Sequence, residues 1–504
     1  MDQLESRKAY VKKWFKNPYF VVLLLIILLA IGARVYFFNA NHGNHWYDES
    51  IYAMKSKVMA NEGFTEGMIS HGWHRGFIME IFWSLFFKVG LADNAMRLSE
   101  LILSVLAVLL TYLIGKELCN KKVALIAAVF MSVFWLNLFY TARIMLTIPT
   151  LFFWTLTCYL FWIGYVKKKV NWIILILIPI FIIGMFTSLL YAPIAIFLGV
   201  FLLITDKFAF LKNKKVYLSL FLGALILIPY ILWAHANIGN GLAYWTATLS
   251  VGATYDETFS ANSGIMGYVN FFPTYLGTFL LVLFLIGLVK FADLFLGPDL
   301  LLKGNKKLQK KLFIFLWIVV TILANAILVP AFSVDYYLMQ IFPAVFLVLG
   351  EGIMFVGNIV KKYQKQAGIA LIIVFVIIGA VIQLKMANTM ITYKADSFGD
   401  VRASALWIKQ DSKDPNDFVF SPSGVMTEYF SEREVLQYPQ NESEFDILVN
   451  EKNPKYMIVS IYERPPQWTF DYNSRHSDEW EPVKSYTTTQ NGQEVPTLII
   501  FRRK

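Results

Sequence analysis

Apolar runs that approach the length needed to cross a lipid bilayer recur along this 504-residue chain. Residues 21–31 and 101–114 form two of them, and a helix that spans a bilayer core needs about 20 predominantly apolar residues. Such runs are too many for a single membrane anchor. Hydrophobic residues make up 57% of the chain and charged residues 16%, against about 45–50% and 25% in soluble domains. We therefore expect a mainly α-helical, polytopic membrane protein.

The hydropathy pattern predicts eleven spans. They cover residues 19–38, 95–115, 122–140, 145–166, 170–187, 189–205, 216–235, 268–290, 312–331, 337–359 and 367–385. Lysines are concentrated in alternate loops, whereas residues 236–267, between two spans, contain no Lys or Arg. Because basic loops stay in the cytoplasm, the N-terminus is expected to be cytoplasmic and the C-terminus extracytoplasmic. We expect the protein to lie in the plasma (cell) membrane.

The net charge of +10 does not indicate nucleic-acid binding. Residues 385–504 carry 14 Lys and Arg against 18 Asp and Glu, so the basic excess lies in the loops of the membrane part. That distribution is a topology signal. The two cysteines, Cys119 and Cys158, are too few for a disulfide framework.

Two regions outside the spans are large enough to carry chemistry. The first is the outer-face loop 39–94, with amphipathic helices expected at about 48–61 and 76–90, the second of them interfacial. The other is the tail 386–504, for which we expect a small α/β domain. Its expected elements are helices at 401–410 and 445–450 and strands at 418–421, 455–462 and 495–502. The predicted domains are thus 1–385 and 386–504.

Candidate catalytic residues open the first of these helices. Asp48 and Glu49 lie shortly after the first span, on the expected outer face. An acidic residue at this place can act as a base, or it can cap the helix N-terminus. Candidate cations follow in the loop and at the ends of later spans: His74, Arg75, Arg97 and Arg143. Arginine suits phosphate binding, but interfacial polar residues and arginines that extend from helix ends to headgroups are the alternatives.

The acidic pair, the segment 74–118 and the segment 335-DYYLMQIFPAVFLVLG-350 together resemble glycosyltransferase family 39. This family of GT-C type membrane enzymes includes protein O-mannosyltransferases and the bacterial aminoarabinose transferases of lipid A. The resemblance covers the first 165 residues and residues 333–350. The chain departs from the family where His74-Arg75-Gly76 replaces a His-Pro-Pro turn, and at Thr147, where many relatives carry an acid.

The resemblance implies transfer of a sugar from a polyprenyl-phosphate donor (dolichyl or undecaprenyl) to an acceptor at the outer face, with inversion. Asp48 would take the proton of the acceptor hydroxyl, and Glu49 would hold the acceptor or orient the helix. Cations at Arg97, Arg143, His74 and Arg75 would stabilise the leaving phosphate, with Tyr336 and Tyr337 also at the donor site. The acceptor is left open among protein, lipid and glycan. No cofactor is required by the pattern, and dependence on a divalent metal stays open.

Other functions are compatible with the pattern. A secondary transporter would carry polar residues near the bilayer midplane, but here they cluster near the predicted outer surface. A related enzyme that moves a whole oligosaccharide, or a scaffold whose tail binds a partner, is also compatible. The loop 236–267, with Tyr244, Trp245, Asp256 and Glu257, is a candidate to close over the substrate.

Overall fold

The structure is a computed structural model that describes residues 16–71, 76–247, 264–296, 304–328, 334–463, 465–490 and 492–504. The chain divides into two compact units. The membrane unit comprises Met1–Phe38 and Gly72–Ile391, and the α/β unit comprises Asn39–His71 and Thr392–Lys504.

Helices make up most of the described chain. In chain order they are α1 (Pro18–Phe37), α2 (Tyr47–Asn61), α3 (Phe64–Ser70), α4 (Ile78–Lys88), α5 (Ala92–Leu118), α6 (Lys121–Val133), α7 (Trp135–Thr141), α8 (Thr147–Leu160), α9 (Ile174–Thr187), α10 (Pro193–Thr205), α11 (Lys214–Ile238), α12 (Gly264–Asn270), α13 (Phe272–Val289), α14 (Asp293–Leu296), α15 (Lys306–Leu328), α16 (Phe342–Lys361), α17 (Lys365–Tyr393), α18 (Gly399–Asp411), α19 (Gly424–Ser431), α20 (Glu442–Lys452) and α21 (Thr469–Arg475).

Eight of the described helices are long and apolar enough to cross a membrane, or nine if α6 and α7, bent by 49°, form one span. Two shorter apolar helices, Asn171–Thr187 and Leu189–Thr205, coincide with the predicted spans 170–187 and 189–205. The predicted fold class is confirmed: a polytopic helical membrane protein with a small C-terminal sheet domain. The number of spans stays a prediction.

The core of the membrane unit lies around α16. Most of this helix is buried, whereas α11 and α17 leave most of their surface exposed, as expected of helices that face lipid. Helix α16 packs closely on α13 through two glycines. A Cβ added to Gly352 would lie 2.0 Å from the carbonyl oxygen of Leu283, and one added to Gly287 would lie 2.1 Å from that of Val348. Small residues let two helix backbones approach each other in this way.

Helix α4, which corresponds to the predicted interfacial helix, has 11 residues. At about 1.5 Å per residue it is far too short to cross a bilayer. It buries Trp83, whose indole N–H donates to Ser99 Oγ in α5 at 2.9 Å, and it exposes Phe82 and Leu85. The amphipathic character predicted for this segment is therefore present.

The α/β unit contains a five-stranded sheet in the order β2-β1-β3-β5-β4. Its strands are β1 (Val419–Phe420), β2 (Val435–Leu436), β3 (Tyr456–Ser460), β4 (Trp480–Gln490) and β5 (Gln493–Arg503). Strand β1 pairs in parallel with β2 and β3, while β5 runs antiparallel to both β3 and β4. The three predicted tail strands and both predicted helices are present, whereas β2, β4, α19 and α21 were not predicted.

Candidate active site

The two adjacent acids of α2 lie in different environments within the α/β unit. Glu49 is fully buried, and its Oε2 accepts the backbone N–H of Trp46 at 2.9 Å. This bond satisfies one of the free N–H groups at the helix N-terminus. Asp48, in the same first turn, is half-buried. Glu49 thus caps the N-terminus of α2, and Asp48 is the more accessible of the two carboxylates.

Contacts near both ends of α2 fix this helix to α19. The His45 ring, just before the helix, stacks on Tyr429 with centroids 5.1 Å apart and lies 5.0 Å from Phe430. Near the other end, Lys57 forms an ion pair with Glu432 at 3.5 Å. The position of Asp48 is thus set by the C-terminal segment as well as by its own helix.

Glu463 is an acid near Asp48 that the sequence analysis did not identify. Loss of solvation and the charge of Asp48 raise the pKa of the Glu463 carboxyl above its usual value. The residue adopts a left-handed backbone conformation, with φ of 56°, which is uncommon for a residue other than glycine. No pattern in the surrounding loop distinguishes it in the sequence.

Arg97 of the membrane unit is a buried cation with unused hydrogen-bonding capacity. Its residue surface is 3% exposed, and its Nε and Nη2 have no hydrogen-bond partner among the described residues. A buried guanidinium is costly unless an anion or acceptor faces it. Its planar N–H groups match a phosphate well.

Arg143 lies in the non-helical break between α7 and α8, where its guanidinium stands 4.8 Å from the centre of the Phe139 ring. Like Arg97, it is 3% exposed. The adjacent Tyr140 hydroxyl donates to Asp335 Oδ1 at 3.3 Å, and the Tyr140 and Tyr336 rings are 5.2 Å apart. The structure therefore brings the segment of Arg143 together with that of Tyr336.

The tyrosine pair is held by polar contacts on its backbone. The carbonyl of Tyr337 accepts from Asn325 Nδ2 at 2.9 Å and from Gln340 Nε2 at 2.7 Å. The Tyr336 and Tyr337 rings pack edge to face at 4.9 Å. Asp335, which precedes them, also accepts the Tyr336 N–H at 2.7 Å. It was missed as a candidate because its partner Tyr140 is 195 residues away in the chain.

His74 and Arg75 lie outside the described residues, as do Asp256 and Glu257 of the loop 236–267. The segment that follows Arg75 is tightly packed. A Cβ on Gly76 would lie 1.9 Å from the carbonyl oxygen of Thr187, and the Phe77 N–H donates to the Phe186 carbonyl at 2.8 Å. The C-terminal end of α9 also contacts the loop 236–267. Within the described part of that loop, the Tyr244 hydroxyl donates to the Met185 carbonyl at 2.9 Å.

A buried arginine that the sequence analysis did not identify stabilises the membrane unit beside α7. Arg34 of α1 donates through Nε to Ser104 Oγ at 2.7 Å and through Nη2 to Asn137 Oδ1 at 2.5 Å. Its Nη1 bonds the Ser132 carbonyl at 2.9 Å, at the bend between α6 and α7. These bonds join four helices around one guanidinium. The residues involved are distant in sequence, so no local sequence pattern marks this cluster.

A metal-binding cluster is not formed by the described residues, which contain no group of three His, Cys, Asp or Glu side chains placed to hold an ion. His71, the described histidine of segment 71–80, instead bonds Ser70 Oγ at 2.7 Å and lies 3.7 Å from Glu428.

Comparison with known proteins identifies the fold. The family model for dolichyl-phosphate-mannose-protein mannosyltransferase matches residues 71–233, less than half of the chain. The structure of ArnT from Cupriavidus metallidurans bound to undecaprenyl phosphate is similar at a TM-score of 0.65 and 10% identity, covering 95% of this chain and 97% of that one. The chain has the GT-C membrane glycosyltransferase fold.

The archaeal oligosaccharyltransferase AglB from Archaeoglobus fulgidus, in complex with an inhibitory peptide and a dolichol-phosphate, has the same GT-C fold. It matches at a TM-score of 0.63 and 14% identity, over 96% of this chain and 74% of that one. No curated protein sequence matches the chain. The resemblance expected from the acidic pair and segments 74–118 and 335–350 is confirmed at the level of this fold.

Proposed function

We propose that this chain transfers a single sugar from a polyprenyl-phosphate donor to an acceptor hydroxyl at the extracytoplasmic face of the cell membrane. The observation that carries the proposal is the buried Arg97 guanidinium, whose Nε and Nη2 have no described hydrogen-bond partner. The GT-C fold supports it, because ArnT and AglB were both observed with a polyprenyl phosphate bound.

The donor phosphate is assigned to the membrane unit. Arg97 and Arg143 are both buried, and cations in a poorly solvated site interact strongly with a developing negative charge. Tyr336, whose ring contacts that of Tyr140 three residues before Arg143, is assigned to the same donor site. His74 and Arg75 belong to the proposal through the family resemblance alone.

The base is assigned to Asp48 of the α/β unit. In the proposed step, the acceptor oxygen forms a bond to the anomeric carbon while its proton passes to the Asp48 carboxylate. The bond from the anomeric carbon to the phosphate oxygen breaks, and its electron pair leaves with the polyprenyl phosphate. Direct displacement inverts the anomeric carbon. Glu49, whose carboxylate is used in capping α2, acts by orientation.

Transfer of one sugar is favoured over transfer of an oligosaccharide by the extent of the match. The match to ArnT covers 95% of this chain and 97% of that one, whereas the match to AglB covers 74% of AglB. A single hexose or pentose is therefore the donor sugar we propose. The candidate acceptors are hydroxyl groups of proteins, lipids and glycans.

Binding of the lipid phosphate tests the donor half of this proposal. Purified wild type, Arg97→Gln and Lys88→Gln are compared for undecaprenyl phosphate affinity by native mass spectrometry. Lys88 is exposed at the end of α4, so its substitution removes an equal charge outside the proposed site. We expect affinity to fall about tenfold or more in Arg97→Gln only, since charged hydrogen bonds contribute about 1.5–3 kcal/mol. Equal binding by all three would remove Arg97 from the donor site, and no binding by wild type would contradict a lipid-phosphate donor.

A further inference from the structure

A second anion site is indicated by a cavity in the membrane unit, among helix ends that the charge pattern predicts to be cytoplasmic. Its volume is about 740 Å³. Six lysines from three separate chain segments line it: Lys167, Lys290, Lys306, Lys307, Lys310 and Lys311. We propose that this cavity binds the phosphate headgroup of an anionic membrane lipid.

Three of the six lysines are neutralised by carboxylates. Lys290 pairs with Glu351 at 3.2 Å and Lys311 with Asp293 at 2.6 Å. Lys167 pairs with Glu117. These three lysines are therefore committed to structural ion pairs at the cavity wall.

The other three lysines give the cavity its excess positive charge. Lys306, Lys307 and Lys310 form no ion pair with any described carboxylate. Their charges are not supplemented by a free helix terminus, because Asn305 Oδ1 accepts the N–H groups of Lys307 at 3.0 Å and Leu308 at 3.3 Å. Side-chain ammonium groups thus supply the attraction, which suits a phosphate held as a point charge.

Apolar surface beside the lysines favours a lipid over a soluble anion. Helix α14 is attached to α15 by the ion pair of Asp293 and by packing of the Phe295 and Phe315 rings at 5.4 Å. It leaves Phe295 68% and Leu296 85% exposed. Acyl chains can cover these side chains while the phosphate enters the lysine cavity. Basic pockets between helices on the cytoplasmic side are suited to anionic headgroups.

The test compares lipid retention by native mass spectrometry after reconstitution in mixed phosphatidylglycerol and phosphatidylcholine nanodiscs. The test variant is Lys306→Gln/Lys307→Gln/Lys310→Gln. The matched control, Lys212→Gln/Lys214→Gln/Lys215→Gln, removes the same charge from exposed lysines of another predicted cytoplasmic loop. We expect wild type and control to retain phosphatidylglycerol in preference to phosphatidylcholine, and the test variant to bind it at least tenfold more weakly.

Two outcomes would overturn the proposal. Equal losses in both triple variants would mean that phosphatidylglycerol responds to overall basic charge and not to the cavity. Displacement of bound phosphatidylglycerol by millimolar inorganic phosphate, with no preference over phosphatidylcholine, would assign the cavity to a soluble anion. If the triple variant does not fold, the double variant Lys306→Gln/Lys307→Gln is compared in its place. Both of these side chains are exposed, so their substitution is not expected to prevent folding.

Discussion

At the residue scale, adjacent side chains of the same chemical type have different surroundings. In the sequence either Asp48 or Glu49 could cap α2, and the family resemblance made Asp48 the candidate base. The structure uses Glu49 for the cap and leaves Asp48 half-buried. Which acid faces inward depends on the packing of α2 on α19, and no local pattern encodes that.

Removal of the Glu49 carboxylate is expected to destabilise α2. Glu49→Ala leaves the partly buried Trp46 N–H without this acceptor, which costs about 1–3 kcal/mol. Thermal unfolding of the purified protein should show a lower midpoint than in Glu62→Ala, which alters an exposed acid at the other end of α2. Equal midpoints for the two variants would argue against the capping role.

Arg34 shows why charged residues inside the spans were underestimated. Polar residues were expected to cluster near the outer surface, yet Arg34, within the first predicted span, is buried and bonded to Ser104 and Asn137. Its acceptors are neutral oxygens from other helices, so no opposite charge in its own span marks the site.

At the element scale, close packing of α13 and α16 depends on the absence of side chains at two glycines. Gly352→Ala would place a methyl group 2.0 Å from the Leu283 carbonyl oxygen and force the helices apart. We expect a loss of about 1–3 kcal/mol in unfolding free energy, measured by thermal or denaturant unfolding in detergent.

The control for this prediction is Gly199→Ala in α10, where an added Cβ meets no atom within 4 Å. That change should be neutral or slightly stabilising, because alanine favours a helix over glycine by about 1 kcal/mol. Similar effects of the two substitutions would contradict the packing argument.

Glu432 joins three helices of the α/β unit in a pH-dependent way. A hydrogen bond from Lys409 at 2.8 Å and the charge of Lys57 hold the pKa of this carboxyl below its usual value. Between the lowered pKa and the ordinary pKa, the folded state therefore binds fewer protons at this carboxyl than the unfolded chain does. The stability that Glu432 contributes is complete above the ordinary pKa of about 4.5 and is lost as the pH falls through the lowered folded-state pKa.

Glu432→Gln should accordingly lower the melting temperature at pH 7 and have a smaller effect at pH 3–4. Because the carboxyl is nearly half-exposed, we expect less than about 1 kcal/mol. Glu434→Gln, a neighbouring exposed acid, is the control. A difference from wild type that is independent of pH would contradict the assignment to these ion pairs.

At the scale of the whole molecule, the sequence predicted the class of fold and most of its elements because long apolar runs mark membrane helices. Strand β4 was missed because it is an edge strand, WEPVKSYTTTQ, with a polar sequence that lacks the apolar run of a buried strand. Strand β2 has two residues, too few to form a pattern. The packing of residues 39–71 with 392–504 has no local signal.

The sequence provided the candidate residues of the site but only part of their arrangement in space. Arg97 and Arg143 were candidates from their places near the span ends, and the family resemblance supplied their roles and the tyrosine pair. The contact of Tyr140 with Asp335 and the proximity of Glu463 to Asp48 depend on tertiary packing, so they required the structure.

The central claim is that a lipid-linked sugar is transferred with Asp48 as the base. The most direct measurement is transfer from a radiolabelled polyprenyl-phosphate sugar panel to membrane acceptors by wild type, Asp48→Asn and the control Glu62→Gln in equal folded amounts. We predict transfer by wild type and control, with a loss of about 10² or more in Asp48→Asn. Unchanged transfer by Asp48→Asn would contradict its role as base, and uptake of a solute into proteoliposomes without transfer from any donor would contradict the enzyme itself.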